Sequence, residues 1–416
     1  MNSKSTLKFI LFLSILFSFN SNAQIKDLKE WIHTPDNERS SIEELPFSTK
    51  NLSKKEANEA IQFLARDKQN VMLKNYEDQW KARELKFEKF KMPFYYQTFG
   101  EQPPTGRSLI ISLHGGGGAP ASVNDQQYKN QQHLYDATMK NLEGIYLAAR
   151  APTDSWDLWH QSHIDNFLNI IIQMAVIKEN VNPNKVYIIG YSAGGDGLYQ
   201  LAPRMADRWA ATSMMAGHPG DASAQNLRNT PFGIHVGSLD EAYNRNNLAK
   251  KWKTDLDKLE AENPGYYKRD VHTPNTGHWM KLKDAIALPW MQQFKRNPVP
   301  NKITWQQDDR YHSSFSWLQT PKKLIKKLGK IEAVYNTKSN EINILDNYSS
   351  IIQLSMNDTM LNLNKPVTIK YQGEKIYKGK LKRSILNIYN TLKDKGDINL
   401  AFPTVISVVN NQSIKE

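Results

Sequence analysis

Cysteine is absent from all 416 residues. That absence excludes a disulfide framework, iron–sulfur clusters, thiolate zinc sites, a cysteine nucleophile and a lipid-anchored cysteine. Beyond the first two dozen residues no apolar run approaches the roughly 20 residues a membrane helix needs. Glycine (21) and proline (19) are too few for a collagen-like or low-complexity chain. What remains is globular in composition, with 39% hydrophobic and 23% charged residues. At about 150 residues per domain, the length suggests two or three units.

Residues 1–23 carry Lys4 and Lys8, an apolar run from Phe9 to Phe19, and Ser21-Asn22-Ala23 before Gln24. The run is too short to span a bilayer and reads as a signal peptide cleaved after Ala23. The expected location is therefore periplasmic or secreted, with no transmembrane segment in the mature chain.

Residues 24–92 read as a polar arm followed by helices. Ser53-Lys54-Lys55-Glu56 has capping-box spacing, and a second helical stretch is expected over Val71–Phe90. From Pro93 the period changes. Strands are expected at Phe94–Phe99, Ser108–Leu113, Gly144–Ala149, Lys185–Ile189, Ala211–Met215, Phe232–Val236 and Tyr266–Val271. Helices are expected at Ile164–Ile177, Gly194–Ala202, Asn247–Glu262 and Asp284–Phe294. Such alternation predicts an α/β fold over residues 93–298, with a mostly parallel sheet covered by helices and a ligand site beyond the strands' carboxyl ends. Past Arg296-Asn297-Pro298-Val299-Pro300 the pattern is strand-rich, with one helix at Ser384–Lys393, so residues 299–416 read as a small C-terminal β-rich domain.

Two motifs carry chemistry. Gly190-Tyr191-Ser192-Ala193-Gly194-Gly195 follows one strand and opens a helix. G-x-S-x-G in that context makes a tight turn that lifts Ser192 above the sheet edge, ready to act as nucleophile. Leu113-His114-Gly115-Gly116-Gly117-Gly118 follows another strand. Side-chain-free residues let backbone N–H groups approach a substrate oxygen, so Gly115 or Gly116, with Ala193, are the candidate oxyanion hole. A nucleotide phosphate loop is the alternative, but no Lys-Ser/Thr follows. His114 reads as a brace for the loop. The acid and then the histidine should follow the serine. Asp240 and His278 stand in loops after strands, with Glu241 and His272 as competitors.

These segments resemble the α/β-hydrolase superfamily. The likeness is strongest to exported esterases similar to polyhydroxybutyrate depolymerases, feruloyl and acetyl-xylan esterases and dienelactone-hydrolase-like proteins. It covers residues 93–298 and rests on Leu113–Gly118, Gly190–Gly195, Gly237–Asp240 and Gly277–His278. It implies Ser192 as nucleophile, His278 as general base and then acid, and Asp240 as the residue orienting the imidazole.

The expected reaction is carboxylic-ester hydrolysis through an acyl-enzyme, without cofactor or metal. His160-Gln161-Ser162-His163 offers two histidines but no clear third ligand. Trp156, Trp159, His160, Tyr191, His218 and Trp279 are the candidate substrate contacts, since aromatic rings suit a sugar or an aromatic acyl group. Asp196 reads as structural, while Asn124-Asp125 and Asn244-Arg245 either shape the pocket rim or tie loops together. No long insertion lies between Gly194 and His278, which predicts an open pocket. Two alternatives stand beside this reading: a serine exopeptidase of prolyl-oligopeptidase type, although the segment before Pro93 is too short for a propeller, and a non-catalytic binding protein on the same fold.

The net charge of +12 is unevenly distributed. Residues 24–298 hold 34 basic and 32 acidic residues, whereas residues 299–416 hold 18 and 10. Clusters at Lys322-Lys323, Lys326-Lys327 and Lys378–Arg383 suggest an anionic polysaccharide or cell-surface polymer as partner, or else a basic solvated face. Export argues against nucleic acid.

Overall fold

The computed structural model describes residues 23–415. The expected signal segment, apart from Ala23, lies outside them. Residues 24–50 are not a loose arm. A helix, α1, covers 23–33, and Ile25, Leu28, Ile42, Phe47 and Leu52 are all buried. These residues are too sparse to show a period, yet each seats in a common hydrophobic cluster with the following helix.

That helix, α2 (Lys54–Lys81), starts with the predicted capping box between Ser53 and Glu56. The second expected helical stretch is corrected: α2 ends at Lys81, and β1 (Glu84–Phe87) and β2 (Phe90–Phe99) pair antiparallel. Met92 and Phe94 are buried two residues apart on β2, and Leu85 of β1 is buried opposite Met92, a pattern masked in the sequence by surrounding lysines and glutamates.

The main sheet continues with β3 (Arg107–Leu113), β4 (Gly144–Ala149), β5 (Val181–Tyr191), β6 (Ala211–Met215), β7 (Phe232–Gly237) and β8 (Lys268–Thr273). Its order is β1-β2-β4-β3-β5-β6-β7-β8. Every pairing among β3 to β8 is parallel. Helices α3 (Ala121–His133), α4 (Asp136–Met139), α5 (Ser162–Lys178), α6 (Ala193–Arg204), α7 (Arg245–Glu262) and α8 (Ala287–Met291) join the strands. Leu109 and Ile111 of β3 face one core, shared with α5, α6 and α7, while Ile110 faces another, shared with α4 and α8. Burial on both faces explains why β3 reads as an unbroken apolar run. The expected closing helix shrinks to α8, preceded by a 3-10 turn at Lys283–Ile286.

Residues beyond Pro300 form two five-stranded sheets around one core. Strands β9 (Lys302–Gln306), β10 (Ser314–Phe315), β11 (Leu318–Gln319), β12 (Lys330–Asn336), β13 (Glu341–Asn347), β14 (Ile351–Met356), β15 (Val367–Tyr371), β16 (Glu374–Gly379), β17 (Thr404–Val409) and β18 (Ser413–Lys415) supply them. The helix between, α9 (Ile385–Lys395), packs on α2 and α1. Buried ion pairs lock this region to the main sheet: Asp397 binds Arg296 at 2.5 Å and Arg208 at 3.4 Å. Nearby, Asp165 binds Arg204 and His312 at 2.6 and 2.8 Å.

Candidate active site

The turn from β5 into α6 places Ser192 at φ 57°, ψ −121°, a strained conformation for a residue with a side chain. The small neighbours are required: a Cβ on Gly190 would come within 2.0 Å of the Gly194 carbonyl oxygen. The Ser192 N–H donates to Met215 at 2.9 Å, which ties the turn to β6.

Three loops converge on this serine. Nε2 of His278, from the loop after β8, lies 2.9 Å from Ser192 Oγ. Nδ1 of His278 lies 2.8 Å from Oδ2 of Asp240, which follows β7 and is buried. The competitors stand elsewhere. His272 pairs with Asp270 at 3.1 Å, and Glu241 is exposed.

Gly115 lies against the serine, where a Cβ would meet Ser192 Cβ at 3.2 Å. Gly116 adopts φ +108°, and a Cβ there would strike Asn124 Oδ1 at 2.1 Å. The N–H groups of Gly115 and Gly116 donate to no group among the described residues. The N–H of Ala193 stands at the first position of α6, where a helix offers no acceptor of its own. Gly117, by contrast, donates to Asn124 Oδ1 at 2.9 Å. His114 braces the loop from below: Nδ1 bonds the Gly115 carbonyl at 2.5 Å, and Nε2 accepts the Ala151 N–H at 3.1 Å. Burial holds its pKa down to about 4, so it stays neutral.

Ser192 and His278 open onto a cleft of about 860 Å³, also lined by Gly115, Gly116, Tyr191 and Trp279. The Tyr191 hydroxyl donates to the His278 carbonyl at 2.6 Å and accepts the Met280 N–H at 3.0 Å, fixing the histidine loop. The other predicted contacts do not line this cleft. Trp156 is 62% exposed beside Tyr243, their rings 5.8 Å apart. Trp159 is corrected: it is fully buried, and its indole N–H donates to the His114 carbonyl at 3.0 Å, which makes it part of the loop's foundation. The His160 carbonyl accepts from Arg204, and His218 is engaged with Asp196 and Gly220.

The opposite wall is α3, through Gln127, Lys129, Asn130, Gln131 and His133, with Leu134 just past its end, and sequence reasoning missed it. Its buried residues are Asn124 and Gln131, both polar, so no apolar period announces the helix. Asn124 and Arg150, a neighbouring pair of side chains, tie the glycine loop to the loop after β4 through Asp154. Of the two histidines read as a metal alternative, His163 stacks on Phe90 at 3.8 Å. Among the described residues no group of three His, Asp or Glu side chains converges to hold a metal.

The strand order and the serine turn together decide the architecture. The fold is that of the α/β-hydrolases. No protein-family model matches the chain. It is 29% identical over 118 residues to NocK, an esterase candidate from Nocardia uniformis subsp. tsuyamanensis, a stretch covering 27% of this chain and 34% of NocK. Solved structures similar to this chain include a thermostable esterase (16% identity, 52% of this chain, 64% of that one, TM-score 0.38). Others are the Bacillus cereus carboxylesterase (16%, 49% and 94%, TM-score 0.34) and an acetyl xylan esterase from Aspergillus awamori (12%, 48% and 93%, TM-score 0.35). The chain thus spans about a third of NocK and under two thirds of the thermostable esterase.

Proposed function

We propose that this chain is an exported serine hydrolase that cleaves carboxylic esters. The observation that carries this reading is the unbroken line from Ser192 Oγ through His278 to buried Asp240, beside N–H groups that have no other acceptor among the described residues. His278 takes the serine proton as Oγ attacks the ester carbonyl, and the N–H groups of Gly115 or Gly116 and Ala193 hold the tetrahedral oxyanion. The alcohol leaves with the proton from His278. Water, deprotonated by the same imidazole, then releases the acid and restores the serine. The wide, amide-lined cleft suits a bulky acyl or alcohol arm. A fluorophosphonate probe should label the protein once, and Ser192→Ala should abolish the label; labelling that survives the substitution would defeat the assignment.

The reading extends to a polymeric substrate. Lys322, Lys323, Lys326 and Lys327 are exposed within residues 322–327, and Lys327 lies 3.7 Å from Asp221, in the loop that carries His218 beyond β6. An acidic polysaccharide held there would lie near the β6 end of the site. Retention on an anionic glycan that weakens with salt is the expected result, and salt-insensitive or absent retention would remove the polymer from the account.

A further inference from the structure

Asp240 presents only one oxygen to His278. Its other oxygen, Oδ1, is buried and has no hydrogen-bond partner among the described residues, an expensive state for a carboxylate. The nearest cation is Arg245, whose Nη1 lies 3.9 Å from Oδ1 and whose side chain is only 8% exposed. The approach is built into the backbone. Tyr243 (φ 54°) and Asn244 (φ 59°) are consecutive left-handed residues, and they turn the chain so that α7 begins at Arg245 beside Asp240. Neither is glycine, so the turn stores strain of a kind that persists where its product is used. The same segment clamps the acid's main chain, since the Asp240 carbonyl accepts the Asn246 N–H at 3.0 Å. The guanidinium is itself fixed, with Nη1 donating to the Ala242 carbonyl at 3.3 Å and its plane 4.7 Å from the Tyr243 ring centre.

We propose that Arg245 is a positioning residue, holding Asp240 oriented so that Oδ2 faces His278. This rests on the hydrolase reading above. An arginine serves here because it keeps its charge while buried and lies to the side of Oδ1, leaving Oδ2 to the imidazole. The charged and titratable groups around Asp240 are His278 from the loop after β8, Arg245 from α7, Asp196 from α6 and Tyr191 from β5. Asp196, half-buried, is held above the usual carboxylate range by desolvation, with the His218 N–H and then Arg245 pulling it back, so the guanidinium acts on a second acid beside the same imidazole.

The test is the proton NMR spectrum of the His278 Nδ1–H in the full chain, which needs no turnover. Without the guanidinium Asp240 is free to turn Oδ2 away from Nδ1, so in Arg245→Met the low-field signal of the hydrogen-bonded Nδ1 proton should lose at least about half its intensity, whereas Arg245→Lys should keep it. Arg245→Gln provides the same reading if the methionine variant does not fold. A low-field signal unchanged in a folded, uncharged variant overturns the proposal. Absence of ester turnover in the wild type would instead defeat the hydrolase reading, leaving the spectrum to judge Arg245.

Discussion

Oδ1 of Asn124 accepts the Gly117 N–H at 2.9 Å, from a side chain with no exposed surface. Its amide group also donates to Ala119 at 3.2 Å and Asp154 at 2.9 Å. One residue on α3 thus satisfies the third glycine of the loop, while the N–H groups of Gly115 and Gly116 have no acceptor among the described residues. Asn124→Leu strands the Gly117 N–H and loosens the loop. We expect kcat on a short acyl ester to fall about 10- to 100-fold, because a misplaced oxyanion donor costs transition-state binding. A fall in affinity alone, with kcat intact, would show that Asn124 does not act through the loop.

The buried contact of Asp240 with His278 predicts a second asymmetry. Asp240→Asn keeps the shape but presents the wrong partner to Nδ1, and kcat should drop by about 10⁴. Glu241→Gln, altering an exposed neighbour, should stay within about twofold. The reverse ranking in steady-state assays would transfer the acid's role to Glu241.

Asp397 sits between Arg296 and Arg208 with almost no exposed surface. Burial opposes its charge, but the two guanidinium groups prevail and pull its pKa from 3.8 down to about 2. An acid whose folded pKa is depressed stabilises the fold above its unfolded value, and the contribution disappears as pH falls from about 4 towards 2. Asp397→Asn should cost roughly 3–5 kcal/mol at pH 7, since it leaves two buried cations uncompensated. Urea unfolding should show that gap narrowing as pH approaches 2. A gap that is the same at pH 7 and pH 2.5 would mean the carboxylate's charge is not what joins the two regions.

Much of this was legible from residues whose local geometry allows little else. The serine turn and the glycine loop each need small side chains beside a strand end, so their spacing in the sequence points to Ser192 and to Gly115 or Gly116. Chain order points to Asp240 and His278 with Glu241 and His272 as competitors. What escaped was held by polar or solitary contacts. Helix α3 buries Asn124 and Gln131 rather than an apolar stripe, the N-terminal segment buries scattered residues such as Leu28 and Phe47, and Trp159 looks like a pocket residue until its indole is found bonded to the His114 carbonyl.

The central claim is that Ser192 is the nucleophile of an ester hydrolase, and it is tested most directly by the turnover of purified wild-type and Ser192→Ala protein on a short acyl ester, with an aminoacyl amide alongside. The account predicts ester hydrolysis by the wild type, a loss of at least about 10³-fold in the variant, and little action on the amide. Equal turnover by the two proteins, or none by either, would contradict it.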